Sequence, residues 1–228
     1  MNGIFDQLYE TVIAEDRWIM FAKGLWTTVW LSVVCCVIGI VLGIVVASVK
    51  VTAVGSRNPV IKILNFICNI YTTVVRGTPL MIQLLILFSI QALTGSYTAS
   101  IIGFGLNSGA YVSEIFRGGI NSVDPGQMEA GRSLGLNRWQ SMRYIILPQA
   151  IKHALPSLFN EFIVLIKETS VAGYIAVQEL TKVADLIKGR TFKSTSLYVA
   201  AVLYLLLTMG LNLIQKNLEK RFGRSDRN

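Results

Sequence analysis

Charge is what this 228-residue chain has least of. Asp, Glu, Lys and Arg together make up 15% of it, against about 25% in an average soluble domain. None of the four occurs between Lys23 and Lys50, between Arg76 and Glu114, or between Lys193 and Lys216. Each gap has room for the roughly 20 apolar residues that a bilayer core demands. A soluble helix of that length would carry charge on its outer face, so a soluble globular fold is excluded. Histidine is present once, as His153, and the three cysteines, Cys35, Cys36 and Cys68, sit in apolar surroundings without metal-ligand spacing. A membrane-embedded enzyme would need convergent His, Cys or Asp groups, and a zinc site would need a ligand pattern; neither can be assembled here. A lone histidine without partners reads as structural or interfacial. No G-x-x-x-x-G-K-[ST] run exists, so nothing in the chain cradles a nucleotide. The internal repeats of many secondary transporters are absent too.

What is there is a polytopic, all-α pattern, read as one transmembrane domain over residues 1–228. The apolar stretches predict five spans: Leu25 to Val49; an element from Val60 to about Ile90 with a break near Gly77, in "VVRGTPL"; Ser100 to Ile120; Leu155 to Val177; and Leu197 to Leu213. Gly39 and Gly43 form a GxxxG pair that would let another helix approach closely. Asn58-Pro59 marks a turn and a helix start. Glu114 and Arg117 stand at i and i+3 and can pair on one face. "QELTKVADLIKGRTFK" is a polar loop with its own helical periodicity at Leu180, Val183, Ala184 and Ile187.

The net charge of +8 is concentrated at span ends, as the cytoplasmic bias of Lys and Arg predicts. The head is acidic (Asp6, Glu10, Glu15, Asp16), which is wrong for a signal peptide, so the first span is expected to remain. The tail "KNLEKRFGRSDRN" is basic. With five spans, the N-terminus is expected outside and the C-terminus in the cytoplasm. The loops after the first and third spans are basic, as inner loops should be, whereas the loop after the fourth, at +2, is a misfit for an outer one.

The stretch "EAGRSLGLNRWQSMRYIILP", Glu129 to Pro148, lies in a long loop at about 121–152. Asp124-Pro125 predicts an N-cap with proline at the first helical position. A short helix should run from Pro125 to about Leu134, with Gly135 as its left-handed stop. Asn137 and Gln140 have capping-box spacing for a second helix, with Trp139, Met142, Ile145 and Ile146 on one face and Pro148 as its end. The first helix is only weakly apolar. Its small residues, read as exposed (Ala130, Gly131, Ser133, Gly135), suit docking into a protein groove better than burial in lipid.

Glu129-Ala130-Gly131, Gly135 and Ile145-Ile146-Leu147-Pro148 resemble the EAA motif, E-A-A-x3-G-x9-I-x-L-P, of ABC importer permeases, departing only where Gly131 replaces alanine. Together with "VVRGTPLMIQLLIL", "NSGAYVSEIFRGGINSVDPGQMEAGRSLG" and "LPQAIKHALPSLFNEFIVLIKETSVAGYI", the likeness runs from about Gly24 to Leu213 and is to the polar amino acid permeases, the histidine, glutamine and arginine type. The resemblance implies a non-catalytic permease subunit in a bacterial-type cell membrane. It also implies a second permease subunit, two cytoplasmic ATPase subunits that bind ATP and magnesium, and an extracytoplasmic solute-binding protein. The permease itself would hold no cofactor. The coupling role would fall on Glu129, Ala130, Gly131, Ser133, Leu134 and Gly135.

For the substrate path, the fourth span is the place to look. It carries Glu161, Lys167 and Glu168 at membrane depth, where charge is costly and usually functional. Glu161 and Glu168 are seven residues apart, two helical turns, and share a face. Thr169 and Ser170 follow. Two carboxylates favour a basic amino acid such as arginine, lysine or histidine; glutamine, glutamate or cystine is the alternative, and a channel or scaffold subunit a more distant one. Lys167 or Arg76 could instead neutralise one of the glutamates.

Overall fold

The computed structural model describes residues 3–90 and 95–225, and within them the chain is helical, with no strand. The α-helices are α1 (Ile4–Leu8), α2 (Arg17–Ala53), α3 (Pro59–Gly77), α4 (Leu80–Ser89), α5 (Ser96–Asn121), α6 (Gly126–Ser133), α7 (Arg138–Ser141), α8 (Leu147–Glu168), α9 (Leu180–Thr191) and α10 (Thr195–Ser225). A π-helical turn, Met142–Ile146, joins α7 to α8, and a 3-10 segment, Thr169–Ile175, follows α8. Helices thus stand at all five places where spans were expected. By length and apolarity α2 and α10 can each cross a membrane, and α3 with α4 form a further candidate. α5 and α8, at 26 and 22 residues, have the length and carry more polar side chains. The neutral stretch between α4 and α5 includes residues 91–94, which lie outside the described residues.

The second predicted element has its break where the sequence puts it, just after Gly77. It is two helices, broken at Thr78-Pro79 and bent by 105°. Thr78 is extended (φ −120°, ψ 144°), which is what a following proline imposes. Elsewhere the local signals hold. Asn58 caps α3 by accepting from the Val60 N–H at 2.9 Å, with Pro59 opening the helix. α9 buries the four periodic residues Leu180, Val183, Ala184 and Ile187.

The helices gather into two compact units. The first comprises Met1–Cys36, Pro79–Gly105 and Phe162–Ile214. One of its cores is built from Leu31, Cys35, Leu84, Phe104, Leu165 and Ile175; another has Phe21 and Ala200 around the apolar face of α9. Between α8 and α9 sits a fully buried carboxylate, Glu179. It caps α9 by accepting from the Lys182 and Thr181 N–H groups at 2.6 and 2.8 Å. The Tyr204 hydroxyl donates to it at 2.9 Å, and Thr181 Oγ1 donates to Tyr204 at 3.3 Å.

The second unit comprises Val37–Thr78, Leu106–Glu161 and Gln215–Asn228. Here the GxxxG reading finds its partner: α2 and α5 meet at the glycines. A Cβ on Gly39 would lie 2.5 Å from Ser108 Oγ, and one on Gly43 would lie 2.5 Å from Val112 Cγ1. Only glycine permits that approach. The outer faces of α3 and α10 expose large apolar side chains, among them Ile63, Phe66, Ile70, Leu205, Leu206 and Met209, as helices bathed in lipid should.

Burial pushes the Glu179 carboxyl above the usual carboxylate range, against the lowering pull of its hydrogen bonds. The fold therefore favours its protonated form, so this group's contribution to stability is complete at low pH and lost as pH rises through the folded-state value. Glu179→Gln discards the charge and keeps one acceptor oxygen of two, leaving one backbone N–H facing its amide NH2, and should lower the melting temperature by less than the alanine variant does. Glu179→Ala strands two backbone N–H groups and the Tyr204 hydroxyl, and should cost about 2 kcal/mol or more. Thermal melting of the two variants in detergent checks this.

Candidate functional site

The loop between α5 and α8 is built from local signals that satisfy one another. Pro125 has helical dihedrals (φ −55°, ψ −30°), and Asp124 Oδ1 accepts from the Gly126 N–H at 2.7 Å. Asp124 therefore caps the first turn, with Pro125 entering it as the sequence predicts. At the other end Gly135 has φ +85°. The Gly135 N–H donates to Arg132 O at 3.0 Å, and the Leu136 N–H donates to Gly131 O at 3.1 Å. This is a Schellman stop, a left-handed residue favoured by glycine with paired 5→2 and 6→1 bonds. The capping box then opens α7. Gln140 N–H donates to Asn137 Oδ1 at 2.9 Å, and Asn137 N–H donates to Gln140 Oε1 at 2.8 Å.

Three loop expectations are overturned. Gly131 is buried, not exposed. A Cβ there would meet Ser141 Oγ at 2.7 Å and Ile145 Cδ1 at 2.9 Å, so its smallness serves the packing of α6 on the following helix. Trp139 is 69% exposed and does not share a face with Met142 and Ile146, which pack inward with Val123 and Ala150. Pro148 does not end the helix; α8 runs straight through it. The π turn immediately before it, Met142–Ile146, opens the hydrogen-bond ladder where a proline ring would otherwise clash with the preceding turn.

The exposed surface of α6 and its stop includes Glu129, Ala130, Ser133, Leu134 and Gly135, with Gln127 and Arg132 exposed beside them and Leu134 80% exposed. Ser133 Oγ donates to Glu129 O at 3.0 Å, which turns the hydroxyl onto the helix itself. What α6 presents is a mixed surface: the small residues Ala130, Ser133 and Gly135, the polar Gln127, Glu129 and Arg132, and one large apolar side chain, Leu134.

On α8, Glu161 and Glu168 are half-buried and two turns apart, about 10 Å along the helix. Glu168 is the last α-helical residue. Thr169 is fully buried, with its hydroxyl donating to Ile166 O at 2.7 Å. Ser170 is half-buried and donates to Lys167 O at 2.7 Å. Sequence reasoning named His153 and Lys167 but missed Ser157 and Asn160, which are exposed with them along this helix, at i, i+4, i+7 and i+14 from His153. That spacing was the available signal. His153 Nδ1 lies 2.7 Å from Ser122 Oγ, tying α8 to the end of α5. Arg76 stacks over the Tyr111 ring at 5.1 Å.

Long apolar helices and a capped, exposed short helix in a connecting loop are features of a membrane permease subunit. Residues 39–224 match the family described as the inner membrane component of binding-protein-dependent transport systems, and the chain belongs to that family. The resemblance read from the loop holds, and the chain is a non-catalytic permease. The chain is 37% identical over 166 residues to the glutamine transport system permease protein GlnP of Escherichia coli strain K12, covering 70% of this chain and 76% of that one. It is 35% identical over 229 residues to the probable amino-acid ABC transporter permease protein YckA of Bacillus subtilis strain 168, covering 98% of both. A crystal structure of an amino acid ABC transporter with histidines superposes with a TM-score of 0.85 at 35% identity, over 97% of this chain and 99% of that one. A chain of the MetNI methionine transporter in an inward-facing conformation shares the fold, with a TM-score of 0.80 at 18% identity, over 92% of this chain and 99% of that one.

The Gly131 packing makes a direct prediction. Gly131→Ala should push Ser141 aside and lower the melting temperature, by roughly 1 kcal/mol of stability or more. Adding Ser141→Ala, which removes the crowding oxygen, should restore most of it. Melting the single and double variants in detergent decides.

Proposed function

We propose that this chain is the membrane-crossing subunit of an ATP-driven importer that carries a polar amino acid into the cytoplasm. The whole chain acts as one permease domain of five spans, with its N-terminus outside. It pairs with a second permease subunit, receives substrate from an extracytoplasmic binding protein, and is driven by two cytoplasmic ATPase subunits that hold the ATP and magnesium. The names of the relatives, glutamine and amino-acid permeases, support the substrate class.

The observation that carries the proposal is α6 itself. It is capped at both ends by its own sequence, braced from behind through Gly131, and exposed along Ala130, Ser133 and Leu134. Such a helix is shaped to be gripped by a partner and to pass that partner's motion into α5 and α8. Glu129, Ala130, Ser133, Leu134 and Gly135 form the docking side, and Gly131 holds it up from beneath. In proteoliposomes holding the complete complex, Gly135→Trp strains the left-handed stop and puts a bulky ring on the docking side. It should leave ATP hydrolysis running while import falls by about tenfold or more. Undiminished import per ATP would defeat the docking role.

The pathway is proposed along α8, with Glu161 and Glu168 facing the substrate and Thr169 and Ser170 shaping the segment beyond. On this reading Glu161 contacts an α-amino group or a cationic side chain, and the paired carboxylates favour arginine, lysine or histidine. The glutamine permeases among the relatives favour a second reading, a neutral polar amino acid. Uptake competition across the amino acids, with wild type and Glu161→Gln, separates the two. A basic substrate predicts that Glu161→Gln loses basic amino acid uptake by about tenfold; uptake of glutamine that survives the substitution supports the second reading.

A further inference from the structure

Within the second unit, a side-chain ammonium is buried at the end of α2. The Lys50 side chain is only 8% exposed. It donates to Thr72 Oγ1 on α3 at 2.8 Å and to Glu114 Oε1 on α5 at 2.9 Å. The other oxygen of the same carboxylate takes Arg117 through two bonds, from Nε at 2.9 Å and Nη2 at 2.6 Å. Thr72 passes its own hydroxyl hydrogen back to the α3 carbonyls of Cys68 and Asn69. Three helices are thereby joined by one hydrogen-bonded charge cluster. Such a cluster is an expensive way to hold helices together, because well-packed apolar side chains usually do as well or better. Its distinguishing property is directionality. Apolar faces can slide past one another, whereas a charge-assisted network is either made or broken.

Its location gives that property a use. Glu114 lies two helical turns before the end of α5, and only residues 122–125 separate that end from α6. This short connection is itself tied down. Ser122 N–H donates to Gly118 O at 3.0 Å, Ser122 Oγ donates to Gly119 O at 2.8 Å, and Val123 is buried against Ile146 and Ala150. α3 is fastened to α5 twice more, by the Tyr71 hydroxyl on Leu106 O at 2.5 Å and by Arg76 over Tyr111.

We propose that Lys50, Thr72, Glu114 and Arg117 form a positioning clamp that makes α2, α3 and α5 move as one body when force enters at α6. The clamp rests on the reading of α6 as the docking helix. None of the four residues is proposed to touch ATP or substrate.

The test is the number of amino acids imported per ATP hydrolysed, measured with the complete complex in proteoliposomes, with melting temperature and ATPase co-purification measured beside it. Glu114→Gln keeps the size of the side chain and removes the charge. It is expected to assemble and hydrolyse ATP near the wild-type rate while imports per ATP fall at least about fivefold. Lys50→Arg retains donors for both Thr72 and Glu114 and should keep the wild-type ratio. Where a single substitution impairs assembly, Lys50→Met/Glu114→Leu removes both charges together. It is expected to assemble, since no buried charge is left stranded and Arg117, which loses its partner, is 45% exposed and open to water, and to be as uncoupled as Glu114→Gln. Assembled complexes of Glu114→Gln or of the double variant that import at the wild-type ratio overturn the clamp. So does a loss of import that only tracks a lower melting temperature. Gly135→Trp in the same assay separates the two claims: uncoupling by Gly135→Trp without uncoupling by Glu114→Gln defeats the clamp alone, whereas a fully coupled Gly135→Trp defeats the docking reading and the clamp with it.

Discussion

The left-handed turn at Gly135 is the constraint on which the functional loop depends. With φ at +85°, it ends α6 after two turns and sends the chain back so that α7 and the π turn can pack beneath α6. Gly131 is then covered by Ser141 and Ile145, while Leu134 is left in the open. A residue with a Cβ at position 135 would resist that conformation, and both the buried and the exposed side of the loop would change together.

The two units solve one problem in different ways. Each has to accommodate ionisable groups among helices that are otherwise nearly free of charge. In the first unit a lone carboxylate, Glu179, is satisfied by the backbone start of α9 and by the Tyr204 hydroxyl. It fixes how α9 begins, and with it the apolar face that packs around Phe21. In the second unit the charges are paired across helices, with Lys50 reaching both Thr72 and Glu114. A cap made by neighbours in sequence organises one turn of backbone; a network drawn from three helices constrains how those helices move. In both places every polar group named has a partner, which is the condition for tolerating them where water is excluded.

Much of the fold was legible in the sequence because its signals are local. Apolar stretches located the spans, four residues at helical spacing located α9, and Asn58, Asp124, Asn137 and Gly135 marked helix ends through bonds to residues within a few positions. The failures have physical causes. Pro148 reads as a helix stop unless the π turn before it is known, and nothing in the five residues of that turn announces it. The Thr78-Pro79 break was visible, but not the size of the bend, because a proline restricts only the backbone beside it. Gly131 looked like part of an exposed small-residue face because spacing along α6 cannot show that Ser141 fills the space beside it. Trp139 looked like core because it is large and apolar. The Lys50–Glu114 pair bridges 64 positions; Glu114 and Arg117 were recognisable as neighbours on a helix, whereas their third partner could come only from the fold. The sequence singled out Glu161 and Glu168 through charge in an apolar run, and missed Ser157 and Asn160 because neutral polar residues raise no such alarm.

The central claim is that the exposed side of α6 is gripped by an ATPase while its inner side is not. The most direct measurement is photo-crosslinking in the assembled complex, with a crosslinking residue placed at position 134 in one variant and at position 145, on the inner side against Gly131, in another. Position 134 should capture the ATPase subunit and position 145 should capture only the permease chain itself. Capture of the ATPase from position 145 and not from position 134, in a complex that still hydrolyses ATP, would contradict the account.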